Sequence, residues 1–149
     1  MPGRLRVVVL IGLPGSGKSA YLERIGAVGL SSDLIRKLLA DDETVQSIND
    51  RVFQTMRYLL RQRLSLGRPV TYIDATNLTP AERAPYIAMA KEYGAAAEAL
   101  FFDVPLEVCR ERNARRHRVV PEDAMQKLAA KLVPPAVEEG FDEVTALHP

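Results

Sequence analysis

Residues 12–19 read Gly12, Leu13, Pro14, Gly15, Ser16, Gly17, Lys18, Ser19, which fills the spacing G-x-x-x-x-G-K-[ST] at every position. No other stretch constrains the fold so tightly, because such a loop works only between a strand and a helix. The strand is legible upstream. Residues 5–11 are a nearly unbroken apolar run with Val7, Val8 and Val9, which suits a central strand buried on both faces. A helix is expected over 18–25. The glycines let the loop curl so that backbone N–H groups converge on one anion, and the helix that follows aims its positive end at the same point. The Lys18 ammonium then reaches the β- and γ-phosphates of a nucleotide, and the Ser19 hydroxyl ligates Mg²⁺. Gly12, Pro14, Gly15, Ser16, Gly17, Lys18 and Ser19 are therefore candidate nucleotide-binding residues, and Ser19 is a candidate metal ligand.

The rest of the chain alternates in the same way. Strands are expected at 28–31, 69–74, 99–103 and 142–147, and helices at 33–39, 49–66, 80–93, 105–116 and 121–132. The helix at 33–39 is expected to turn Leu34, Ile35, Leu38 and Leu39 inward. Thr79, Pro80 and Glu82 form a capping box with proline at the first helical position. Alternation of this kind implies βαβ units and a parallel sheet with helices on both faces. A length of 149 residues suits one domain, 1–149. The formal net charge of +1 excludes a global basic field that would draw in nucleic acid. Cys109 is the one cysteine, so no intrachain disulfide can form. No apolar run is long enough to span a membrane. A soluble, cytoplasmic protein is expected.

Three further groups bear on chemistry. Asp74 closes the strand 69–74, where an acidic residue would hold Mg²⁺ through a water. Ala75 follows it, so the carboxylate a motor ATPase uses to activate water is missing, and no Asn-Lys-x-Asp segment for guanine occurs. Asp33 lies just beyond the second strand, at the sheet edge where open α/β folds bind ligands. Arg36 is one helical turn on, so a carboxylate that could accept a hydroxyl proton and a cation that could hold the acceptor share a face. The spacing alone also suits an N-cap aspartate with a surface arginine. The third group is Arg110, Arg112, Arg115, Arg116 and Arg118. On a helix Arg112 and Arg116 would repel each other unless an anion lay between them, and a triphosphate is such an anion. Pro121 suggests that this segment turns back into a second helix. The fold class is therefore α/β, a P-loop NTPase-type three-layer α/β/α sandwich with a central parallel sheet and an arginine-bearing lid at about 112–121.

Taken in order, the loop 12–19, Asp33 and Arg36, Asp41 and Asp42, the run Asp74-Ala75-Thr76-Asn77, and Glu111-Arg112-Asn113 with Arg116 resemble the kinase module of 5′-hydroxyl polynucleotide kinases of the phage and bacterial end-healing types. The likeness runs from about residue 6 to residue 144. It implies ATP and Mg²⁺ as the bound species. Lys18 and Ser19 would bind the phosphates and the metal. Asp33 would be the general base for the 5′-OH, and Arg36 would contact the acceptor's 3′-phosphate or the site next to the base. Arg116 would be the lid arginine on the β- and γ-phosphates, with Arg112 near the nucleotide. The catalytic set is then Lys18, Asp33, Arg36 and Arg116. The acceptor is expected to be RNA or DNA. The alternatives are a small metabolite, nucleoside or antibiotic as acceptor, or a P-loop binding module with no acceptor chemistry. Kinases of this type are usually fused to a phosphatase, ligase or other domain, and the present sequence shows the kinase module alone.

Other features carry less. Arg51, Arg57, Arg61 and Arg63 lie on the helix 49–66, as a basic acceptor surface or as a solvated face. Cys109 reads as a buried structural thiol. His117 could touch phosphate, but neither it nor His148 belongs to a zinc cluster. Tyr58, Tyr72, Tyr86 and Tyr93 read as packing residues.

Overall fold

The computed structural model describes residues 4–116 and 119–148. Among the described residues, eleven regular elements follow one another as β1 (Arg6–Ile11), α1 (Lys18–Arg24), β2 (Leu30–Ser31), α2 (Ser32–Ala40), α3 (Asn49–Ser65), β3 (Val70–Asp74), α4 (Pro80–Glu92), β4 (Ala96–Phe102), α5 (Leu106–Ala114), α6 (Glu122–Lys131) and β5 (Glu143–Leu147), with a 3₁₀ turn at Val137–Glu139. The strands make one parallel sheet in the order β2-β3-β1-β4-β5. This places β1 at the centre, and Val7, Val9, Leu10 and Ile11 have no exposed surface. The β-branched run was suited to that position because both of its faces are covered.

The crossover rule explains where the helices go. The chain steps outward from β1 to β2, then returns through β3 and continues to β4 and β5 on the other side. Right-handed crossovers in opposite directions put their helices on opposite faces. On one face α3 and α4 bury Val52, Met56, Leu60, Tyr86, Ile87 and Ala90 against Val7, Val9, Ile73 and Ala99. On the other face Leu22 of α1 packs on Val8, Leu10, Leu100 and Phe102. A third cluster, Leu13, Leu78, Val104, Cys109 and Met125, fastens α5 and α6 across the carboxyl ends of the strands. Among the described residues no helix is long and apolar enough to cross a membrane.

The structure departs from the sequence reading in four places. First, α2 does not bury its leucines: Leu34 and Leu38 are 49% and 72% exposed, and Leu39 is also exposed. The helix instead turns Ile35 and Arg36 inward. Residues two positions either side of Arg36 lie about 160° away at 100° per residue, so burying Arg36 turns Leu34 and Leu38 outward. Second, β4 starts at Ala96, because Ala96 and Ala97 pair with Arg6 and Val7. Alanine gives little strand signal by itself. Third, α5 ends at Ala114. The Arg115 and Arg116 amides donate to the carbonyls of Arg112 and Asn113, three residues back, so the last turn tightens and Arg116 leaves the helix. Arg112 and Arg116 are thus not stacked on one helical face. Fourth, Tyr58 is 63% exposed rather than packed. His117 and Arg118 lie outside the described residues.

Candidate active site

The site assembles where β1, β2 and β3 end. Register fixes the first part: Asp74 of β3 lies beside Leu10 of β1 on one side and Ser31 of β2 on the other. Gly29 makes that closeness possible. A Cβ there would sit 3.1 Å from the Asp74 Cβ and 2.9 Å from Leu22 Cδ1, so a larger residue would push β2 and α1 away from the aspartate. Ser31 caps α2 by accepting from the Leu34 amide at 3.2 Å. That cap starts the helix where its first turn carries Asp33.

The loop 12–19 folds over the end of β1. Lys18 is buried and donates to the Gly12 and Leu13 carbonyls at 2.8 and 3.0 Å. Burial pushes its pKa down to about 8, and Arg116 adds to the push while Asp74, Cys109 and Asp33 oppose it. Burial also raises the Asp74 pKa, against Lys18, with Asp33 reinforcing the rise and Arg116 opposing it. Lys18, Asp33, Asp74 and Arg116 therefore share one electrostatic field. Gly15, at φ 85°, lets the loop touch α5: a Cβ there would lie 2.6 Å from the Cys109 carbonyl oxygen. No side chain fits that gap, so the loop and the root of α5 are in backbone contact.

The arginine cluster divides by partner. Arg110 pairs with Glu122, which ties α5 to α6, and Arg115 pairs with Glu111 at 2.8 Å. Arg112 lies over the loop, its Nη1 3.8 Å from where a Gly17 Cβ would be, and Arg116 acts on Lys18 and Asp74. Arg36 is buried and donates to Asp33 at 3.0 Å and to Asn49 at 2.8 Å. It is not the surface arginine that spacing alone allowed. Arg61 and Arg63 of α3 are bound intramolecularly, Arg61 to Glu92 and Tyr93, and Arg63 to Thr71 and the Val70 carbonyl. His148 lies 3.5 Å from Asp103.

Two supporting residues had no assigned role in the sequence reading. Asn77 is buried at φ 48° and donates to the Leu10 carbonyl at 2.7 Å, while the Gly12 amide donates to the Thr76 carbonyl at 3.1 Å. These bonds lace the segment after Asp74 to the start of the loop. Arg83 has no exposed surface. It donates to the carbonyls of Asn77, Leu78 and Val133 and to Glu139. The signal for Arg83 was present: it precedes Tyr86 and Ile87 by three and four residues, on the buried face of α4.

The donor set fits a nucleotide triphosphate. It comprises a buried ammonium, the Arg112 guanidinium beside the loop, and a buried Ser16 hydroxyl with no hydrogen-bond partner. No group of three or more His, Cys, Asp or Glu side chains among the described residues could hold a metal by itself. Ser19 and Asp74 suit Mg²⁺ of the other kind, which is bound by few protein groups together with phosphates.

Geometry and topology together define a nucleotide-binding domain of P-loop kinase fold. The family described as an AAA domain matches residues 7–135, and the chain belongs to it. The bifunctional polynucleotide phosphatase/kinase of Schizosaccharomyces pombe is 26% identical over 146 residues, covering 93% of this chain and 32% of the relative. The chain thus spans about a third of that relative's length. A kinase structure from Chloroflexus aurantiacus superposes with a TM-score of 0.71 at 11% identity, covering 97% of this chain and 88% of the other. A sugar kinase from a Janibacter species superposes at 0.68 and 19% identity, covering 96% and 84%. These two share the fold.

Proposed function

We propose that this domain transfers the γ-phosphoryl group of ATP to a hydroxyl, and that the acceptor is the 5′-OH of RNA or DNA. The observation that carries the reading is the Asp33–Arg36 pair, set one strand away from Asp74 at the sheet end that holds Lys18. Asp33 takes the proton of the attacking hydroxyl. The hydroxyl oxygen bonds to the γ-phosphorus as the bond to the β-phosphate oxygen breaks, and ADP leaves. Lys18 and Arg116 stabilise the charge that shifts between the phosphates. Ser19, and Asp74 through a water, would hold Mg²⁺, which would supply further neutralisation there. Arg36 binds an anionic group of the acceptor. The likeness to a polynucleotide phosphatase/kinase supports the choice of acceptor.

One observation favours a small hydroxyl acceptor instead: Arg61 and Arg63 are bound intramolecularly, so α3 presents less basic surface to a polynucleotide than its sequence offers. The test is transfer of labelled γ-phosphate to a short 5′-OH oligonucleotide, with Asp33→Ala as control. Label that depends on Asp33, with acceptor binding that weakens as salt rises, supports the polynucleotide. Transfer to sugars or nucleosides alone, insensitive to salt, overturns that acceptor.

A further inference from the structure

We propose that Asn49 is a positioning residue of the acceptor site: it holds the Arg36 guanidinium with a neutral oxygen, so that the charge of Arg36 serves an anionic group on the acceptor. The inference rests on the function proposed above. Arg36 is carried by α2 and its side chain is 5% exposed. A guanidinium has five N–H donors and no acceptor, and its preferred partner is one carboxylate taken by both arms of the fork. Here the fork is divided. Nη1 goes to Asp33 Oδ1 at 3.0 Å and Nη2 to Asn49 Oδ1 at 2.8 Å. Because arginine only donates, the Asn49 atom that faces it is the oxygen.

Asn49 is itself placed. Its Nδ2 donates to Gln46 Oε1 at 3.2 Å, and its amide donates to the Gln46 carbonyl at 3.2 Å. It opens α3, whose Val52, Met56 and Leu60 are fully buried. The bond therefore runs from a helix packed on the sheet to the helix that carries Asp33. A carboxamide fixes the guanidinium without adding negative charge. An aspartate of nearly the same shape would bind Arg36 more strongly but would weaken its field on a phosphate. This separates two roles. If Asn49 only glues α3 to α2, Asn49→Asp is as good as the native residue or better. If it positions a charge for the acceptor, Asn49→Asp is worse.

The experiment measures kcat and KM, for ATP and for a 5′-OH oligonucleotide, in the wild type, Asn49→Asp, Asn49→Ala, Arg36→Ala and the Arg36→Ala/Asn49→Asp double variant. The same enzymes are compared on a nucleoside 3′-monophosphate and on the nucleoside without phosphate. Both Asn49 variants are expected to raise the acceptor KM roughly tenfold while the KM for ATP, which reports an intact fold, stays put. The Asn49→Asp penalty should vanish without Arg36 and on the acceptor that lacks phosphate. An Asn49→Asp acceptor KM equal to or below that of the wild type overturns the inference, as does a penalty that persists in full without Arg36. A wild type that binds ATP but labels no hydroxyl overturns the proposed function, and the inference with it. A wild type that labels the oligonucleotide and loses it with Arg36→Ala, but not with either Asn49 variant, overturns the inference alone.

Discussion

The phosphate-binding loop grows from the middle of the sheet, whereas Asp33 and Arg36 hang from its edge. β1 is paired on both sides over nearly its whole length, and four of its six residues have no exposed surface. β2 is two residues long, pairs on one side, and leads into a helix with exposed leucines. At the centre the polar groups are held by main chain: Lys18 by two carbonyls, and Asn77 by that of Leu10. At the edge they are held by one another, Arg36 by Asp33 and Asn49. The loop that carries the nucleotide-binding signature sits where main-chain carbonyls hold it. Asp33 and Arg36 sit where the ties run between side chains of two helices.

Substitutions at the two places should separate binding of the donor from chemistry on the acceptor. Lys18→Met should lower phosphate transfer by about a thousandfold or more, read as initial rate at saturating acceptor. Asp33→Asn should cost ~10²–10⁴-fold in kcat with ATP binding retained. If Asp33→Asn lost ATP binding as well, the division between centre and edge would not hold.

The next effect is on stability. Arg83→Met removes a buried cation and leaves Glu139 and three carbonyls without it, so a loss of about 3 kcal/mol is expected, read by urea denaturation. Leu38→Lys on the outer face of α2 should change stability by less than about 0.5 kcal/mol. An equal loss at both positions would show that the edge is packed after all.

The last effect concerns protons. Lys18 has a pKa lowered to about 8 by burial, and a bound triphosphate needs it charged. Above that pH the folded protein has lost a proton that ATP binding must restore. ATP affinity should therefore fall as pH rises past about 8, by up to about tenfold per unit, with proton uptake seen by calorimetry in buffers of different ionisation enthalpy. The same depressed pKa makes the fold less stable while Lys18 is charged. The unfolded chain holds that proton to higher pH, so stability should recover as pH rises above about 8.

Much of this was legible in the sequence, for reasons that differ by residue. The loop 12–19 is a local feature and showed itself by spacing. The central place of β1 showed itself because burial on both faces leaves an unbroken apolar run. Leu34 and Leu38 misled because inward packing of α2 is set by a charged residue, which a hydrophobic pattern reads as outward. Asn49 gave no sign because its partner lies 13 residues away on another helix. The fate of Arg61 and Arg63 depended on Glu92 and Thr71, which only the fold brings near.

Arg83 gathers chain segments that are far apart in synthesis. It joins the carbonyls just after β3 to Val133 and Glu139, 50 and 56 residues further on. β1 emerges first yet finds its partners only when β3 and β4 have been made. A nascent chain thus displays its nucleotide loop early but cannot complete the Arg83 ties until residues 133–139 have left the ribosome. Arrest of translation before Val133 would leave a chain that carries the whole signature while Arg83 lacks two of its partners and β4 lacks β5 on its outer side, and quality control would meet that exposed edge.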